Sequence, residues 1–161
     1  MATRVLLLTG PVGSGKSTML ADWASGRDDV AGVLQRVRGN ARHFVDVRGR
    51  DAAAMEPVAA GEASVAVGRF RFRAAAFDWA NARLSDAERA SVAIVDEVGP
   101  LELAGAGLRP SLDRLLARRH GLLLLVVRDG LAGEVQALVP SAFVVPARDW
   151  PQVGQGLIAA P

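Results

Sequence analysis

The fold is decided by the stretch V-L-L-L-T-G-P-V-G-S-G-K-S-T, residues Val5 to Thr18. Its first four residues are all apolar, which is typical of a central strand buried on both faces. Its second part, Gly10 to Thr18, fits the pattern G-x-x-x-x-G-K-[ST] at every fixed position. A helical pattern follows and ends by Gly26, which can act as its C-terminal cap. The order of strand, glycine-rich loop and helix predicts a phosphate-binding P-loop.

Each residue type in this loop has a chemical reason. Glycines let the backbone curl around a phosphate, and the curl turns successive N–H groups inward as an anion nest. The following helix adds its unsatisfied N–H groups and the positive end of its dipole. We expect Lys16 to bridge the β- and γ-phosphates of a nucleoside triphosphate, and the Ser17 hydroxyl to bind Mg²⁺. A turn that binds nothing is the alternative, and the flanking strand and helix disfavour it. The predicted nucleotide-binding residues are Gly10, Pro11, Val12, Gly13, Ser14, Gly15, Lys16, Ser17 and Thr18.

A second apolar run, Val92 to Val95, ends in two carboxylates, Asp96 and Glu97. Ligands of open α/β sheets bind at the carboxyl ends of strands, so this has the form of a Walker B element. We expect Asp96 to hold Mg²⁺ and Glu97 to orient and polarise the attacking water. The alternative is a strand end with solvated charges. Glu102 is open between three roles: a supporting hydrogen bond, the catalytic base itself, or a solvent-facing loop acid.

The rest of the chain alternates short β-rich runs with helical ones, which predicts an α/β fold with a mainly parallel sheet. A length of 161 residues fits one domain, residues 1–161. The predicted strands are Val5–Leu8, two strands in Val30–Val47 around a turn at Gly39-Asn40, a segment at Val65–Phe72, and then Val92–Val95, Leu122–Val127 and Ala142–Val145. The predicted helices are Ala74–Arg89, Leu108–Arg119, Leu131–Leu138 and one from Trp150 onwards.

The composition of the chain limits which classes of partner and which chemistry it can have. The longest apolar run, Leu122 to Val127, is far shorter than the ~18–20 residues of a membrane span, so no membrane partner is expected. The start of the chain lacks the features of a secretory signal, which predicts a cytoplasmic protein. The absence of cysteine excludes disulfides and thiolate chemistry. The net charge of only +2 gives no sign of a nucleic-acid partner. Lys16 is the single lysine, and it stands where the motif needs a compact ammonium.

Taken together, G-P-V-G-S-G-K-S-T at Gly10–Thr18 and V-D-E-V-G-P-L-E-L at Val95–Leu103 resemble the small nucleoside triphosphatases of the THEP or cancer-related type. The second stretch is similar to that family's D-E-I-G-x-x-E signature at Asp96, Glu97, Gly99 and Glu102. The resemblance implies a three-layer, RecA-like P-loop NTPase fold with helices on both faces of the sheet. It also implies Mg²⁺-dependent, slow hydrolysis of ATP, GTP and other nucleoside triphosphates. Pro100 departs from the family, which often has lysine there.

The RecA-like order that the resemblance implies would insert Leu122–Val127 between the P-loop strand and the acidic strand. Arg128 would then emerge between the P-loop and Asp96. There it would act either as a γ-phosphate sensor or arginine finger, or as the partner of an acid such as Glu97 or Asp129.

Gly68 to Arg73 alternates strictly between arginine and phenylalanine after its glycine. An arginine stripe for phosphate or single-stranded nucleic acid is one reading. We favour a half-buried edge strand with its phenylalanines facing the core and its arginines in solvent.

Three functions stay open at this point. The leading hypothesis is a Mg²⁺-dependent nucleoside triphosphatase, with weak base selectivity because no N-K-x-D motif is present. The alternatives are a small-molecule or nucleotide kinase and a non-catalytic nucleotide-dependent switch. The physiological substrate and the oligomeric state do not follow from the residues.

Overall fold

Strands and helices alternate through the computed structural model, which describes residues 2–159. The strands are β1 (Arg4–Gly10), β2 (Val30–Arg38), β3 (Ala41–Asp46), β4 (Ala52–Ala54), β5 (Ser64–Val67), β6 (Phe70–Arg73), β7 (Val92–Asp96), β8 (Leu122–Arg128) and β9 (Phe143–Pro146). The helices are α1 (Lys16–Ala24), α2 (Ala74–Ala87), α3 (Pro100–Leu103), α4 (Arg109–Ala117), α5 (Ala132–Leu138) and α6 (Trp150–Ala159). Single 3₁₀ turns, Asp129–Leu131 and Ala147–Asp149, lead into α5 and α6.

Seven strands form one sheet in the order β4-β3-β2-β7-β8-β1-β9. The five strands from β2 to β9 are parallel, whereas β3 and β4 are antiparallel additions at one edge. β8 lies between the P-loop strand β1 and the acidic strand β7, as the family resemblance implied. The predicted α/β fold with a mainly parallel sheet is confirmed.

Both faces of the sheet are covered by helices, and β8 shows this most directly. Its residues Leu122 to Val127 are at most 5% exposed. Alternate side chains enter two different cores: Leu123, Leu125 and Val127 pack on the side of α2, α4 and α5. Leu122, Leu124 and Val126 pack on the side of α1 and α6. An unbroken apolar run is what a strand needs when neither face meets water.

The prediction of an edge strand over Gly68–Arg73 is only partly right. Gly68, with a φ of +57°, forms a turn instead of strand, and β6 pairs only with β5 in a separate two-stranded hairpin. The predicted faces are found: Phe72 is 6% exposed and enters the core, while Arg71 is exposed. Arg73 forms an ion pair with Glu62 at 2.5 Å, so that arginine is engaged within the protein.

Two short elements, β4 and α3, were not predicted, and α2 and α4 end two residues before their predicted ends. The predicted C-terminal helix is present as α6, and residues 160–161 lie outside the described part. Within residues 2–159, none of the helices combines the length and the apolar character that crossing a bilayer requires.

Candidate nucleotide site

A cleft of about 410 Å³ opens at the carboxyl ends of β1, β7 and β8. The P-loop lines it from Val12 to Thr18, and Asp96, Glu97 and Arg128 line its other side. The register explains this convergence, because Gly10 at the end of β1 lies opposite Arg128 on β8, and Asp96 lies opposite Val126. Crevices at the carboxyl ends of parallel strands are where open α/β sheets bind ligands.

The P-loop has the backbone that an anion site requires. Gly13 and Gly15 have φ values of +78° and +81°. This is a left-handed backbone conformation that residues with a Cβ rarely adopt. α1 begins directly after Gly15, at Lys16, and its first turn, which carries N–H groups without partners inside the helix, lines the cleft. The turn before it closes through a hydrogen bond from the Ser14 N–H to the Pro11 carbonyl at 3.2 Å.

Lys16 is 7% exposed, although its charge would normally keep it in water. Its ammonium donates hydrogen bonds to the carbonyls of Gly10 and Pro11, both at 2.8 Å, and to Ser14 Oγ at 3.3 Å. An ammonium has three donors, so these contacts satisfy it within the loop. The loop therefore holds one buried positive charge next to the cleft.

Asp96 is 2% exposed and accepts hydrogen bonds from the Ser17 hydroxyl and from the Gln35 backbone N–H, the latter at 3.1 Å. Burial raises the pKa of Asp96 to about 7, and the Ser17 hydrogen bond opposes this rise. A buried carboxylate is unfavourable without a cation or further donors. Asp96 and Ser17 thus form a pair of hard oxygen donors in a place that favours a positive ion.

Glu97 follows Asp96 and is more accessible, with 19% of its side chain exposed. It forms an ion pair with Arg128, whose Nη2 lies 2.9 Å from Glu97 Oε1. An ion pair with an acid such as Glu97 is one of the two roles that the sequence predicts for Arg128. The sensor role stays a prediction, although Arg128 does lie beside the P-loop as that role requires.

Glu102 is not the solvent-facing acid that was one of its three possible roles, since it is 4% exposed. Its two carboxylate oxygens accept the backbone N–H groups of Gly99 and Leu108, each at 2.9 Å. Burial raises the pKa of Glu102, and these two hydrogen bonds oppose the rise. Glu102 is not among the residues that line the cleft, and its contacts are those of a residue that supports the loop after β7.

Three polar lining residues were missed from the sequence: Gln35 and Arg36 on β2, and Arg42 on β3. β2 runs parallel to β7, so its carboxyl end reaches the same edge of the sheet as Asp96. The β2–β3 hairpin then brings Arg42 back beside the cleft. The predicted turn at Gly39-Asn40 indicates the β2–β3 hairpin, but the sequence has no signal for the pairing of β2 with β7 that brings these residues to the cleft.

The fold and the site define a P-loop nucleotide-binding protein: a strand, an anion nest with a buried lysine, and a buried aspartate on a nearby strand. A sequence model of the protein family described as NTPase matches residues 5–142. The chain belongs to this NTPase family, and the predicted family resemblance is confirmed. Nucleoside triphosphatase activity is therefore the general activity that its family indicates.

The structure is similar to the crystal structure of THEP1 from the hyperthermophile Aquifex aeolicus, with a TM-score of 0.70. The two sequences are 20% identical, and the match covers 95% of this chain and 96% of that one. At this identity the likeness establishes the fold. No curated protein matches the sequence significantly.

Proposed function

We propose that this protein is a Mg²⁺-dependent nucleoside triphosphatase in which Glu97 activates the attacking water. The observation that carries the proposal is the position of Glu97, which lines the cleft between the P-loop and Arg128. In this place a carboxylate can accept a proton from water as the water attacks the γ-phosphorus. The bond from the γ-phosphorus to the bridging oxygen then breaks, and the nucleoside diphosphate leaves.

Ser17 and Asp96 fit a magnesium ion by the chemistry of their donors. Mg²⁺ prefers hard oxygen ligands, and it usually binds through one or two protein side chains together with substrate phosphates and water. Within residues 2–159, no three acidic or histidine side chains gather into a self-sufficient metal site, which agrees with that mode. When bound, the ion would neutralise charge on the phosphates.

The remaining charges of the site suit the same reaction. Lys16 and the N–H groups of the loop would stabilise the negative charge that grows on the phosphate oxygens. Arg128 has 46% of its side chain exposed, so its guanidinium has room to turn from Glu97 towards a γ-phosphate. Such a turn would also release Glu97 to accept a proton.

Weak base selectivity is supported by a second cleft, of about 450 Å³, on the other side of the P-loop. It borders Gly10 and Pro11 and is lined by Met19, Asp129 and Arg148, among others. Arg148 and Asp129 are both exposed, so hydrogen bonds from them to a base would compete with water. A base placed here would be held mainly by contact with apolar groups, which distinguish bases poorly.

The test is phosphate release from ATP, GTP, CTP and UTP, each with Mg²⁺ and with excess chelator. We expect similar rates with the four nucleotides and loss of activity in the chelator. Glu97→Gln should bind nucleotide nearly as well but release phosphate roughly 10²–10⁴-fold more slowly, because an amide cannot accept the proton. Glu134→Gln, which alters an exposed acid on α5, is the matched control. Unchanged turnover in Glu97→Gln would refute the assignment of the base.

A further inference from the structure

A third cavity, of about 280 Å³, lies on the far side of Glu97 from the P-loop. Its apolar wall is formed by Met55, Phe70, Phe72, Phe77 and Leu101, and we call it the aromatic pocket. Four residues line both this pocket and the nucleotide cleft: Gln35, Arg42, Glu97 and Arg128. The two spaces therefore adjoin, and the carboxylate of Glu97 stands at their boundary.

The aromatic pocket combines an apolar wall with guanidinium groups that lie over its phenylalanine rings. Phe70 and Phe72 stack nearly parallel, with an angle of 9° between their planes. The Arg42 guanidinium lies 4.3 Å from the centre of the Phe70 ring, and that of Arg69 lies 5.0 Å from the same ring. Flat rings stack on guanidinium planes as well as on aromatic faces, and guanidinium and amide groups also donate hydrogen bonds to ring nitrogens and carbonyl oxygens. This combination suits a heteroaromatic molecule with a polar edge.

Hydrolysis alone gives no reason for such a cavity, because water needs only a small polar space beside the γ-phosphate. We propose that the aromatic pocket binds a second substrate, a heteroaromatic alcohol of the nucleoside type, that accepts the γ-phosphoryl group in place of water. This inference rests on the proposed function, since it uses the same triphosphate site and the same base. It makes the protein a phosphotransferase whose hydrolysis is the reaction without acceptor.

The transfer of the γ-phosphoryl group needs only the triphosphate, the acceptor and Glu97. The acceptor's hydroxyl oxygen forms a bond to the γ-phosphorus, and its proton passes to the Glu97 carboxylate. The bond between the γ-phosphorus and the bridging oxygen breaks, and its electron pair leaves with the nucleoside diphosphate. The products are the phosphate ester of the alcohol and the diphosphate. No oxidant, reductant or further reactant is needed.

Glu97 also decides between a hydroxyl and a phosphate as the attacking group. A neutral hydroxyl must lose a proton, and a carboxylate at the boundary can take it. The phosphate of a nucleoside monophosphate is already ionised and gives Glu97 no proton to accept, although the pocket's arginines, Arg42, Arg69 and Arg128, would attract it. The position of a base at the boundary therefore points to a hydroxyl as the attacking group.

The experiment incubates the protein with Mg²⁺ and ATP labelled in its γ-phosphate, together with one acceptor at a time. The acceptors are the four ribonucleosides, the four deoxyribonucleosides and their 5′-monophosphates. We expect label in a nucleoside phosphate for at least one nucleoside, at a rate at least tenfold above the rate of free phosphate release. Label only in free phosphate for all nucleosides overturns the inference but leaves the proposed hydrolysis intact. Transfer to monophosphates alone overturns the role of the hydroxyl. Label in neither product refutes the proposed function itself.

A pair of variants locates the acceptor. Val67 on β5 lines the aromatic pocket and pairs with Phe70, so Val67→Trp fills the space with a bulky ring. Ala66, its neighbour on the strand, is exposed and does not line the pocket, so Ala66→Trp adds the same bulk elsewhere. We expect Val67→Trp to lose transfer at least tenfold and Ala66→Trp to keep it. Equal transfer by both variants would show that the acceptor binds elsewhere. If Val67→Trp does not fold, Val67→Phe makes the same comparison with less strain.

Discussion

Glu102→Gln separates a supporting role for this residue from a role as catalytic base. The parent carboxylate accepts two backbone N–H groups at 2.9 Å, from Gly99 and Leu108, with 4% of the residue exposed. Glutamine has the same shape but only one acceptor oxygen, so one of the two N–H groups must face an NH₂ group. We therefore expect a loss of stability with little direct effect on the chemical step.

The magnitude follows from these contacts. A buried N–H that loses its partner costs about 1–3 kcal/mol. The substitution also removes a carboxylate whose pKa is raised by burial, which offsets part of that cost. The net loss should be about 1–2 kcal/mol, which for a chain of this size lowers Tm by roughly 2–8 °C at about 2–4 °C per kcal/mol.

The assay measures urea unfolding, thermal unfolding and phosphate release, the last well below the unfolding temperature. Glu134→Gln serves as control for loss of one acidic charge, because Glu134 is exposed on α5. Turnover of Glu102→Gln should stay far above that of Glu97→Gln. An unchanged Tm with turnover reduced 10²-fold or more would refute this reasoning and make Glu102 the base.

Three further predictions concern the charges of the site. Lys16→Ala should weaken both nucleotide binding and turnover, and turnover should fall more because negative charge builds on the phosphate towards the transition state. Hydrolysis at the parent rate would contradict the P-loop assignment. If Arg128 contacts the γ-phosphate, Arg128→Ala should lower turnover with little change in nucleotide affinity. A lower Tm with normal turnover would instead show that Arg128 acts only through its ion pair with Glu97. Because burial raises the pKa of Glu102, the folded state binds more protons than the unfolded state between the ordinary and the raised pKa. The contribution of Glu102 to the free energy of unfolding must then fall as pH rises through that window. Urea unfolding at a series of pH values should therefore show a steeper decline for the parent than for Glu102→Gln, and the same decline in both proteins would exclude a raised pKa of Glu102.

The sequence predicts those parts of the site that local chemistry determines. The P-loop and the acidic end of β7 are recognisable because each is a continuous segment whose residue types serve one purpose. The central position of β8 could be predicted through the family resemblance, and its unbroken apolar run agreed with it. These elements place Lys16, Ser17, Asp96 and Arg128 at one edge of the sheet before any coordinates are known.

The parts that could not be predicted depend on contacts between distant segments. Arg42 reaches the cleft only because the β2–β3 hairpin folds beside β7. Glu102 is buried because the turn at Gly107 closes over it, so closely that a Cβ at Gly107 would clash with Glu102 Oε1. The aromatic pocket likewise needs the β5–β6 hairpin to pack against the core beside Phe77. Periodicity along the chain carries no information on these approaches.

The pairing of β1 has a consequence for how the protein forms during synthesis. The ribosome makes the P-loop before β2, yet both neighbours of β1, namely β8 and β9, are made only after α4. Contacts between segments so far apart in sequence form late, because a long loop must close first. A nascent chain that stops before Leu122 already contains Lys16, Ser17 and Asp96, but it has no strand to separate β1 from β7. The ability to hold a nucleotide is therefore acquired only after β8 has been made, although its defining loop is made long before that strand.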